Sequence, residues 1–244
     1  MATDVVHYTA AALTDGGRKR SLNEDAYGIS VECGVYVVCD GMGGAAAGEV
    51  ASSLAVEEVM RLLAGQATVP CAAEAEQAIC AANQTILDRS QGNPRLAGMG
   101  TTLVALVAEE RHAWILNVGD SRGYLLRHRH LQQITRDHSL VEEQVMMGKM
   151  NRLEAMHSPL RNVITRALGT QAGVTPDIFE IEPAPDDLFL LCSDGLTGEL
   201  SDSLIESLLS SDLPLEELCT RLVNAANKAG GHDNITCLLV RAEV

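Results

Sequence analysis

One stretch organises the rest of the chain, namely Val35-Tyr36-Val37-Val38-Cys39-Asp40-Gly41-Met42-Gly43-Gly44. Its first five residues are apolar and mostly β-branched, a pattern that predicts a buried strand. The strand ends in a carboxylate, and glycines follow before a helical pattern begins. A buried carboxylate without a counter-charge is costly, so Asp40 is expected to face a cation, most simply a metal ion. The glycines allow backbone atoms to approach that ion or its ligands closely.

The composition limits the classes of function. The 244 residues fit one large domain or two small ones, and a core with 46% hydrophobic but only 3% aromatic residues must be built from aliphatic side chains. The 18 basic and 33 acidic residues give a net charge of -15, which argues against binding to nucleic acid or to an anionic membrane. A phosphorylated substrate stays possible, because bound divalent cations invert the local charge.

The cysteines and the N-terminus indicate the compartment. No C-x-x-C pair occurs, and several cysteines lie in apolar runs, which predicts buried free thiols in a reducing environment. Met1 to Asp4 lack the basic start of a signal peptide, and no apolar run is long enough to span a bilayer. We therefore predict a cytoplasmic protein with no membrane partner. The seven cysteines are Cys33, Cys39, Cys71, Cys80, Cys192, Cys219 and Cys237.

Hydrophobic periodicity predicts more strands than helices, with the helices in consecutive pairs. This order is not an alternating βαβ pattern, so it favours antiparallel sheets with helices stacked outside them. The predicted strands cover residues 5–13, 26–39 with a break at 32–34, 101–109, 113–118, 122–127, 130–134, 187–192 and 235–240. The predicted helices cover Ala51 to Leu63 and residues 71–89, and two more begin after Ser201 and Pro214.

Residues 144–166 are polar, rich in methionine and irregular, which predicts a mobile flap. Ser139 and Asn151 each precede a glutamate by three positions, a spacing typical of capping boxes that begin short helices.

An acidic residue beside glycine or a tight turn recurs at strand ends. One Asp-Gly pair is only a common turn sequence, but four such sites after apolar strands are expected to converge when the sheets pack. Asn23-Glu24-Asp25 adds two carboxylates. Oxygen ligands select Mg²⁺ or Mn²⁺, and no cysteine or histidine pair has the spacing of a zinc site. The four sites are Asp40-Gly41, Gly119-Asp120, Asp194-Gly195 and Gly231-His232-Asp233.

A pair of divalent cations suits the hydrolysis of a phosphate ester. Two ions about 3.5–4 Å apart hold and deprotonate a bridging water and neutralise the phosphoryl oxygens. An arginine beside them would bind the phosphate through two hydrogen bonds. Arg20 has a suitable position for this, although it could equally be one of three solvated cations in Arg18-Lys19-Arg20.

Five motifs together resemble, in order, those of the metal-dependent (PPM or PP2C-like) Ser/Thr protein phosphatases, in their compact bacterial form. The resemblance spans nearly the whole chain and implies hydrolysis of phosphoserine and phosphothreonine on proteins. It also implies a Hanks-type Ser/Thr kinase as the opposing partner. The motifs are Arg20-x-x-Asn23-Glu24-Asp25, Asp40-Gly41-Met42-Gly43-Gly44, Gly119-Asp120-Ser121-Arg122, Ser193-Asp194-Gly195-Leu196 and Asp233-Asn234-Ile235-Thr236.

The resemblance implies an α+β fold, a four-layer αββα sandwich of two antiparallel sheets flanked by helix pairs, in a single domain over residues 1–244. The metal ions would lie in a cleft at one sheet edge. By motif position Asp40 would bridge two Mn²⁺ or Mg²⁺ ions. Asp194 and Asp233 would complete one ion site, and Glu24 with the Gly41 carbonyl would complete the other.

The same resemblance assigns the remaining roles. Asp25 would hold metal-bound water, and Asp120 would bind a third, weaker ion together with Asp194. Arg20 would bind the substrate phosphate. Residues 144–166 match the flap of the family.

One residue departs from the eukaryotic pattern. Those enzymes have a histidine after Asp-Gly that is proposed as the general acid, whereas this chain has Met42, whose thioether cannot donate a proton. His138, His157 and His232 are alternative donors, although a structural or solvated role is the more ordinary interpretation of each.

Other classes of function fit less well. Gly41 to Ala46 match a dinucleotide-binding fingerprint, but a second helix follows where that fold needs a strand. Glu49 stands where a phosphate-binding P-loop needs lysine, and no cysteine is followed by arginine at the spacing of a cysteine phosphatase. The main alternative is a catalytically inactive member of the same fold that binds phosphoproteins or acts as a scaffold.

Overall fold

The computed structural model describes residues 6–43, 47–65 and 68–243. The predictions that concern residues 1–5 and 44–46 lie outside these ranges. They include the N-terminal segment, the end of the first glycine-rich motif and the end of the dinucleotide fingerprint.

Eleven strands and seven α-helices make up the described chain, together with a 3-10 helix at Pro94–Leu96. The strands are β1 (His7–Asp15), β2 (Asp25–Ser30), β3 (Val35–Met42), β4 (Gly100–Thr101), β5 (Leu103–Ala108), β6 (Ala113–Val118), β7 (Arg122–Arg127), β8 (His130–Gln133), β9 (Asp177–Ile181), β10 (Leu188–Cys192) and β11 (Ile235–Glu243). The helices are α1 (Ala47–Leu63), α2 (Ala72–Gly92), α3 (Leu140–Met146), α4 (Arg152–His157), α5 (Asp194–Thr197), α6 (Asp202–Leu209) and α7 (Leu215–Ala229).

The strands form two antiparallel sheets. One sheet has the order β1-β11-β10-β7-β8, and the other has the order β2-β3-β5-β6-β9, with β4 paired to β3. In the second sheet, Asp25 of β2 lies directly opposite Asp40 of β3. In the first, Cys192 at the end of β10 lies opposite Cys237 of β11. The carboxylates of the first two motifs therefore lie on neighbouring strands, the edge strand β2 and β3 beside it.

Three apolar clusters separate the layers of the described chain. The first joins α1 and α2 to the sheet that contains β3, the second joins α6 and α7 to the sheet that contains β11, and the third fills the space between the sheets. Two sheets with helices on both outer faces confirm the predicted α+β, αββα architecture. Buried members of the clusters include Ala51, Ile86 and Leu116 in the first, Ile205, Leu222 and Leu239 in the second, and Tyr36, Phe189 and Leu238 in the third.

The helix signals in the sequence are confirmed at several ends. The Ser201 side chain accepts the N–H of Leu204 at the start of α6, and α7 begins directly after Pro214. Asn151 and Glu154 form a capping box at α4. Ser139 caps α3 by accepting the Glu142 N–H, which is the serine half of the predicted capping box. The Glu142 carboxylate, which would form the other half, lies 3.7 Å from Arg152.

The sequence-based assignments differ from the structure in several places, three of which concern β1, β9 and the cysteines. β1 does not end at residue 13 but continues through Asp15, which pairs with Ile235, because β11 supplies a partner strand there. β9 was not predicted at all. Its burial alternates between exposed and half-buried positions, so it lacks the apolar run of a central strand. All seven cysteines lie in the described ranges and no disulfide joins them, but Cys71 and Cys80 are exposed and Cys33 is half-buried.

None of the helices within the described ranges is both long and apolar enough to cross a membrane.

Candidate metal and phosphate site

Five aspartates from both sheets converge at one end of the sandwich. Burial raises the pKa of the Asp40 carboxyl well above the usual range. The negative charges of Asp25, Asp194, Asp120 and Asp233 raise this pKa further. These residues are far apart in sequence, so the fold brings together the acidic positions that the motifs predicted.

Asp25 has one satisfied and one unsatisfied oxygen. Its Oδ2 accepts hydrogen bonds from the hydroxyls of Ser193 at 2.8 Å and Thr236 at 2.6 Å. Its Oδ1 is buried and accepts no hydrogen bond from any part of the chain that the structure describes. Burial raises the Asp25 pKa to about 7, and the two hydroxyl bonds offset part of that effect. A buried oxygen with free lone pairs is suited to a cation or to water that a cation holds.

Asp120 and Asp194 have the same electrostatic character. Burial, followed by the charge of Asp194, raises the pKa of Asp120 to about 7. Burial, followed by the charge of Asp233, raises the pKa of Asp194, and a hydrogen bond with Asp40 partly offsets the rise. Like charges in a desolvated site therefore oppose one another, and a bound divalent cation would relieve this repulsion.

Arg20 contacts this acidic group directly. Its Nη2 donates to Asp233 Oδ2 at 2.7 Å, and this hydrogen bond is the main cause of the raised Arg20 pKa. The other Asp233 oxygen accepts the N–H of Asn234 at 2.9 Å. The Arg20 side chain is 51% exposed, so it stands at the open side of the carboxylates, where an anionic substrate can reach it.

Glycine is required where β3 meets α1. The Gly41 N–H donates to the Glu24 carbonyl at 3.1 Å, and the Ser52 hydroxyl donates to the same carbonyl at 2.6 Å. A Cβ on Gly41 would overlap the Gly48 carbonyl oxygen, and a Cβ on Gly48 would lie 2.7 Å from Glu24 Oε1. As expected, the glycines permit a close backbone approach, and they leave room for the Glu24 carboxylate over the start of α1.

The donor set fits a hard divalent cation. The acidic groups and the Gly41 carbonyl offer only oxygen, which Mg²⁺ and Mn²⁺ prefer. No three acidic, histidine or cysteine side chains in residues 6–43, 47–65 and 68–243 are grouped closely enough to hold an ion alone. Mg²⁺ commonly keeps several waters and takes one or two carboxylates, so the separation of these groups is compatible with partly hydrated ions.

Several polar residues that support the site had no assigned role in the sequence. Asn234 Oδ1 accepts the Glu24 N–H at 2.8 Å, and its Nδ2 donates to the Leu22 carbonyl at 2.9 Å. Ser193 and Thr236 hold Asp25, as described above. All three lie inside the quoted motifs, within three residues of an aspartate, so the motif itself was the available signal.

The three candidate proton donors have different surroundings. His138 is buried, its Nδ1 accepts the Gly119 N–H at 3.0 Å, and its Nε2 lies 3.3 Å from Asp177. Burial lowers the pKa of His138, so its ring is neutral at physiological pH. His232 is exposed and bonds through Nδ1 to Glu199 at 2.6 Å. His157 lies in the exposed α4.

A family model described as protein phosphatase 2C matches residues 17–240. The chain belongs to this family. The serine/threonine phosphatase stp of Listeria monocytogenes is 40% identical over 238 residues, which cover 95% of this chain and 94% of that protein. The serine/threonine protein phosphatase PstP of Mycobacterium tuberculosis is 37% identical over 230 residues, which cover 94% of this chain and 44% of that protein.

Solved structures agree with this assignment. The crystal structure of the M. tuberculosis phosphatase PstP/Ppp matches with a TM-score of 0.90 at 36% identity, over 98% of this chain and all of that one. The PstP catalytic domain in complex with two manganese ions matches with a TM-score of 0.89 at 35% identity, with the same coverage. The predicted family and fold are thus confirmed, and the chain is a phosphatase of the PP2C family.

Proposed function

We propose that this PP2C-family protein hydrolyses phosphoserine and phosphothreonine on proteins with the help of two Mn²⁺ or Mg²⁺ ions. When bound, the ions supply a nucleophile derived from water and positive charge beside the phosphoryl oxygens. The proposal is supported by one observation above all, the cluster of five aspartates from both sheets, in which burial and the charges of the other four raise the pKa of Asp40. Such a centre is unfavourable without cations and suited to them.

Within this proposal, Asp40 lies at the middle of the centre and would contact both ions. Asp194 and Asp233 would complete one ion site, and Glu24 with the Gly41 carbonyl would complete the other. These assignments follow the order of the motifs and are compatible with the raised carboxyl pKa values of Asp40 and Asp194.

Three residues would act around the two ions. Asp25 would accept hydrogen bonds from water through Oδ1, the oxygen that the described part of the chain leaves unsatisfied. Asp120 would hold a third, weaker ion together with Asp194. Arg20 would exchange its bond to Asp233 for the substrate phosphate, whose oxygens match the guanidinium donors.

The proposal extends to the surroundings of the enzyme. We propose one domain over residues 1–244, with residues 144–166 as a flap beside the substrate. We also propose a cytoplasmic location and a Hanks-type kinase as the opposing enzyme. Four buried free thiols support a reducing compartment, namely Cys39, Cys192, Cys219 and Cys237.

The decisive experiment is hydrolysis of a phosphothreonine peptide by the purified protein. Activity is expected to disappear in EDTA and to return with Mn²⁺ or Mg²⁺ but not with Zn²⁺. A folded protein that binds the peptide without hydrolysing it in any metal would overturn the proposal in favour of the inactive, phosphoprotein-binding alternative.

Two substitutions connect activity to the acidic centre. Asp40→Asn and Asp233→Asn are each expected to lower kcat by at least about 10³-fold, because electrostatic stabilisation by a bound ion is worth several kcal/mol. Circular dichroism should show an unchanged fold. Full activity in both variants would contradict the two-ion mechanism.

A further inference from the structure

Thr102 lies between β4 and β5 and faces Asp40 of β3 in the antiparallel register. Its N–H donates to the Asp40 carbonyl at 2.9 Å. In a regular pair, the Asp40 N–H would donate to the Thr102 carbonyl. Here it donates to the Thr102 hydroxyl at 3.0 Å. The Thr101 hydroxyl lies 3.0 Å from the Thr102 carbonyl and 2.9 Å from the Asp40 carbonyl, and these two oxygens share its single proton. A side-chain oxygen thus replaces a backbone oxygen at the residue that carries the central carboxylate.

The same hydroxyl also reaches the turn that carries Asp120. Thr102 Oγ1 lies 2.7 Å from Ser121 Oγ, and both residues are fully buried. Gly119 lies against the other side of Thr102, since a Cβ on Gly119 would come within 2.7 Å of the Thr102 Cβ. Thr102 therefore contacts residues on both sides of Asp120 as well as Asp40.

We propose that Thr102 is a positioning residue whose hydroxyl fixes Asp40 relative to the turn that carries Asp120. The oxygen has one proton and two lone pairs, so it can bond to the Asp40 N–H and to Ser121 at the same time. A shift of either segment breaks one of these bonds, and both Thr102 and Ser121 are too buried for solvent to replace it. This inference rests on the proposed function, because Asp40 and Asp120 are the residues assigned there to the ions.

The hydroxyl is expected to matter for metal affinity rather than for the fold alone. Residues that orient metal ligands typically change affinity about 10- to 100-fold when substituted. Thr102→Val removes the hydroxyl but keeps the branched shape, and Thr102→Ser keeps the hydroxyl. Thr135→Val is a matched control, because Thr135 is also buried and its hydroxyl accepts the Gly123 N–H at 3.0 Å.

The first measurement is Mn²⁺ binding by titration calorimetry, which does not depend on turnover. Thr102→Val should bind Mn²⁺ about 10- to 100-fold more weakly than the wild type. Thr102→Ser and Thr135→Val should stay within about threefold of it. Equal affinities in Thr102→Val and Thr135→Val would overturn the inference, and so would an equal loss in Thr102→Ser and Thr102→Val.

The second measurement is amide hydrogen exchange in EDTA. The Asp40 amide should exchange at least about tenfold faster in Thr102→Val, because its acceptor is lost, whereas the Leu190 amide in β10 should not change. Unchanged protection at Asp40 would contradict the proposed bond. Both readouts remain valid even if the wild type fails to hydrolyse phosphopeptides, so failure of the proposed function is distinguishable from failure of this inference.

Ser121→Ala keeps the test decisive if Thr102→Val does not fold. It leaves the Asp40 N–H bonded to Thr102 and removes only the link to the Asp120 turn. Weaker Mn²⁺ binding, with the Asp40 amide still protected, is the expected result. Wild-type Mn²⁺ affinity in Ser121→Ala would overturn the inference.

Discussion

The two carboxylate oxygens of Asp25 have opposite environments, one stabilised and the other not. Two hydroxyls stabilise its Oδ2, while its Oδ1 is buried without a partner in the described chain. Neutral hydroxyls compensate only part of the cost of burying a charge. At the scale of this residue, the buried charge therefore suits the site to ions and lowers the stability of the protein in their absence.

The buried carboxyl of Asp25 predicts that the stability of the metal-free protein depends on pH. The pKa of Asp25 is about 7 in the folded chain and near 3.8 without the fold, so the folded state binds more protons between these values. The contribution of Asp25 to the free energy of unfolding is therefore fully present below about pH 4. It is lost as the pH rises through 7, by at most about 1.4 kcal/mol per pH unit. Asp25→Asn cannot titrate and should lack this part of the decline.

Urea unfolding in EDTA at pH 5, 6, 7 and 8 checks this prediction. The free energy of unfolding of the wild type should fall relative to that of Asp25→Asn as the pH rises. Asp212→Asn serves as the control, because Asp212 is exposed and lies in the loop before α7. Parallel curves for the wild type and Asp25→Asn would show that Asp25 is ionised throughout this range.

Arg20 is expected to act on substrate rather than on stability. Its ion pair with Asp233 is exposed, and such pairs contribute at most about 1 kcal/mol to folding. A charged hydrogen bond to phosphate is worth about 1.5–3 kcal/mol, so Arg20→Ala should lower kcat/KM for a phosphothreonine peptide about 10- to 150-fold. Arg61→Ala breaks a comparable exposed pair with Glu58 and should leave kcat/KM unchanged. Equal effects of the two variants would argue against phosphate binding by Arg20.

At the scale of elements, the junction of β3 and α1 is packed too tightly for any side chain. A Cβ on Gly41 would overlap the Gly48 carbonyl and lie 2.6 Å from the Glu24 carbonyl, and these backbone atoms cannot move independently. Gly41→Ala is therefore expected to cost about 1–3 kcal/mol or more in the free energy of unfolding and to displace the Gly41 carbonyl. Activity should fall with it.

Gly92→Ala is the matched control for this substitution. Gly92 ends α2, and a Cβ there would meet no atom of the described chain within 4 Å. Alanine should be neutral or stabilising by up to about 1 kcal/mol at this position. Thermal unfolding of both variants in EDTA decides the matter, since a Gly41→Ala variant as stable as Gly92→Ala would refute the packing argument.

The sequence predicted best those elements that have a strong pattern of their own. β10 is a continuous apolar run, β11 contains one from Cys237 to Val240, and α6 begins after a capping serine, so local signals were enough. β9 was missed because its strand conformation depends on pairing with β6, and pairing is not visible in a half-exposed segment. The aspartates were found through their sequence motifs, whereas the bonds made by Thr102 and Asn234 exist only after folding.

At the scale of the whole molecule, the acidic centre also joins the two sheets. Asp25 belongs to the sheet of β3, but it accepts hydrogen bonds from Ser193, next to β10, and from Thr236 of β11 in the other sheet. The resemblance to a phosphatase family predicted that the motifs meet at a sheet edge. It could not predict these particular bonds across the sandwich, because they depend on how the two sheets are packed together.

The net charge of the molecule leads to a prediction about substrates. With 18 basic and 33 acidic residues, the protein has a negative field that attracts cationic segments and repels anionic ones. Phosphothreonine peptides with flanking lysine or arginine should therefore have a kcat/KM about tenfold higher than acidic ones at low salt. The Debye length is only about 3 Å at 1 M salt, so added NaCl should reduce the difference.

Three peptides of equal length, with basic, neutral and acidic residues around the same phosphothreonine, separate this long-range effect from specific contacts. The Mn²⁺ concentration is kept saturating, so that the salt does not act through loss of the ions. If the field is responsible, the three values of kcat/KM converge as NaCl rises, with the neutral peptide changing least. A preference that persists unchanged in high salt would instead require a specific site for the flanking residues, and equal rates at low salt would show that the net charge has no influence on substrate choice.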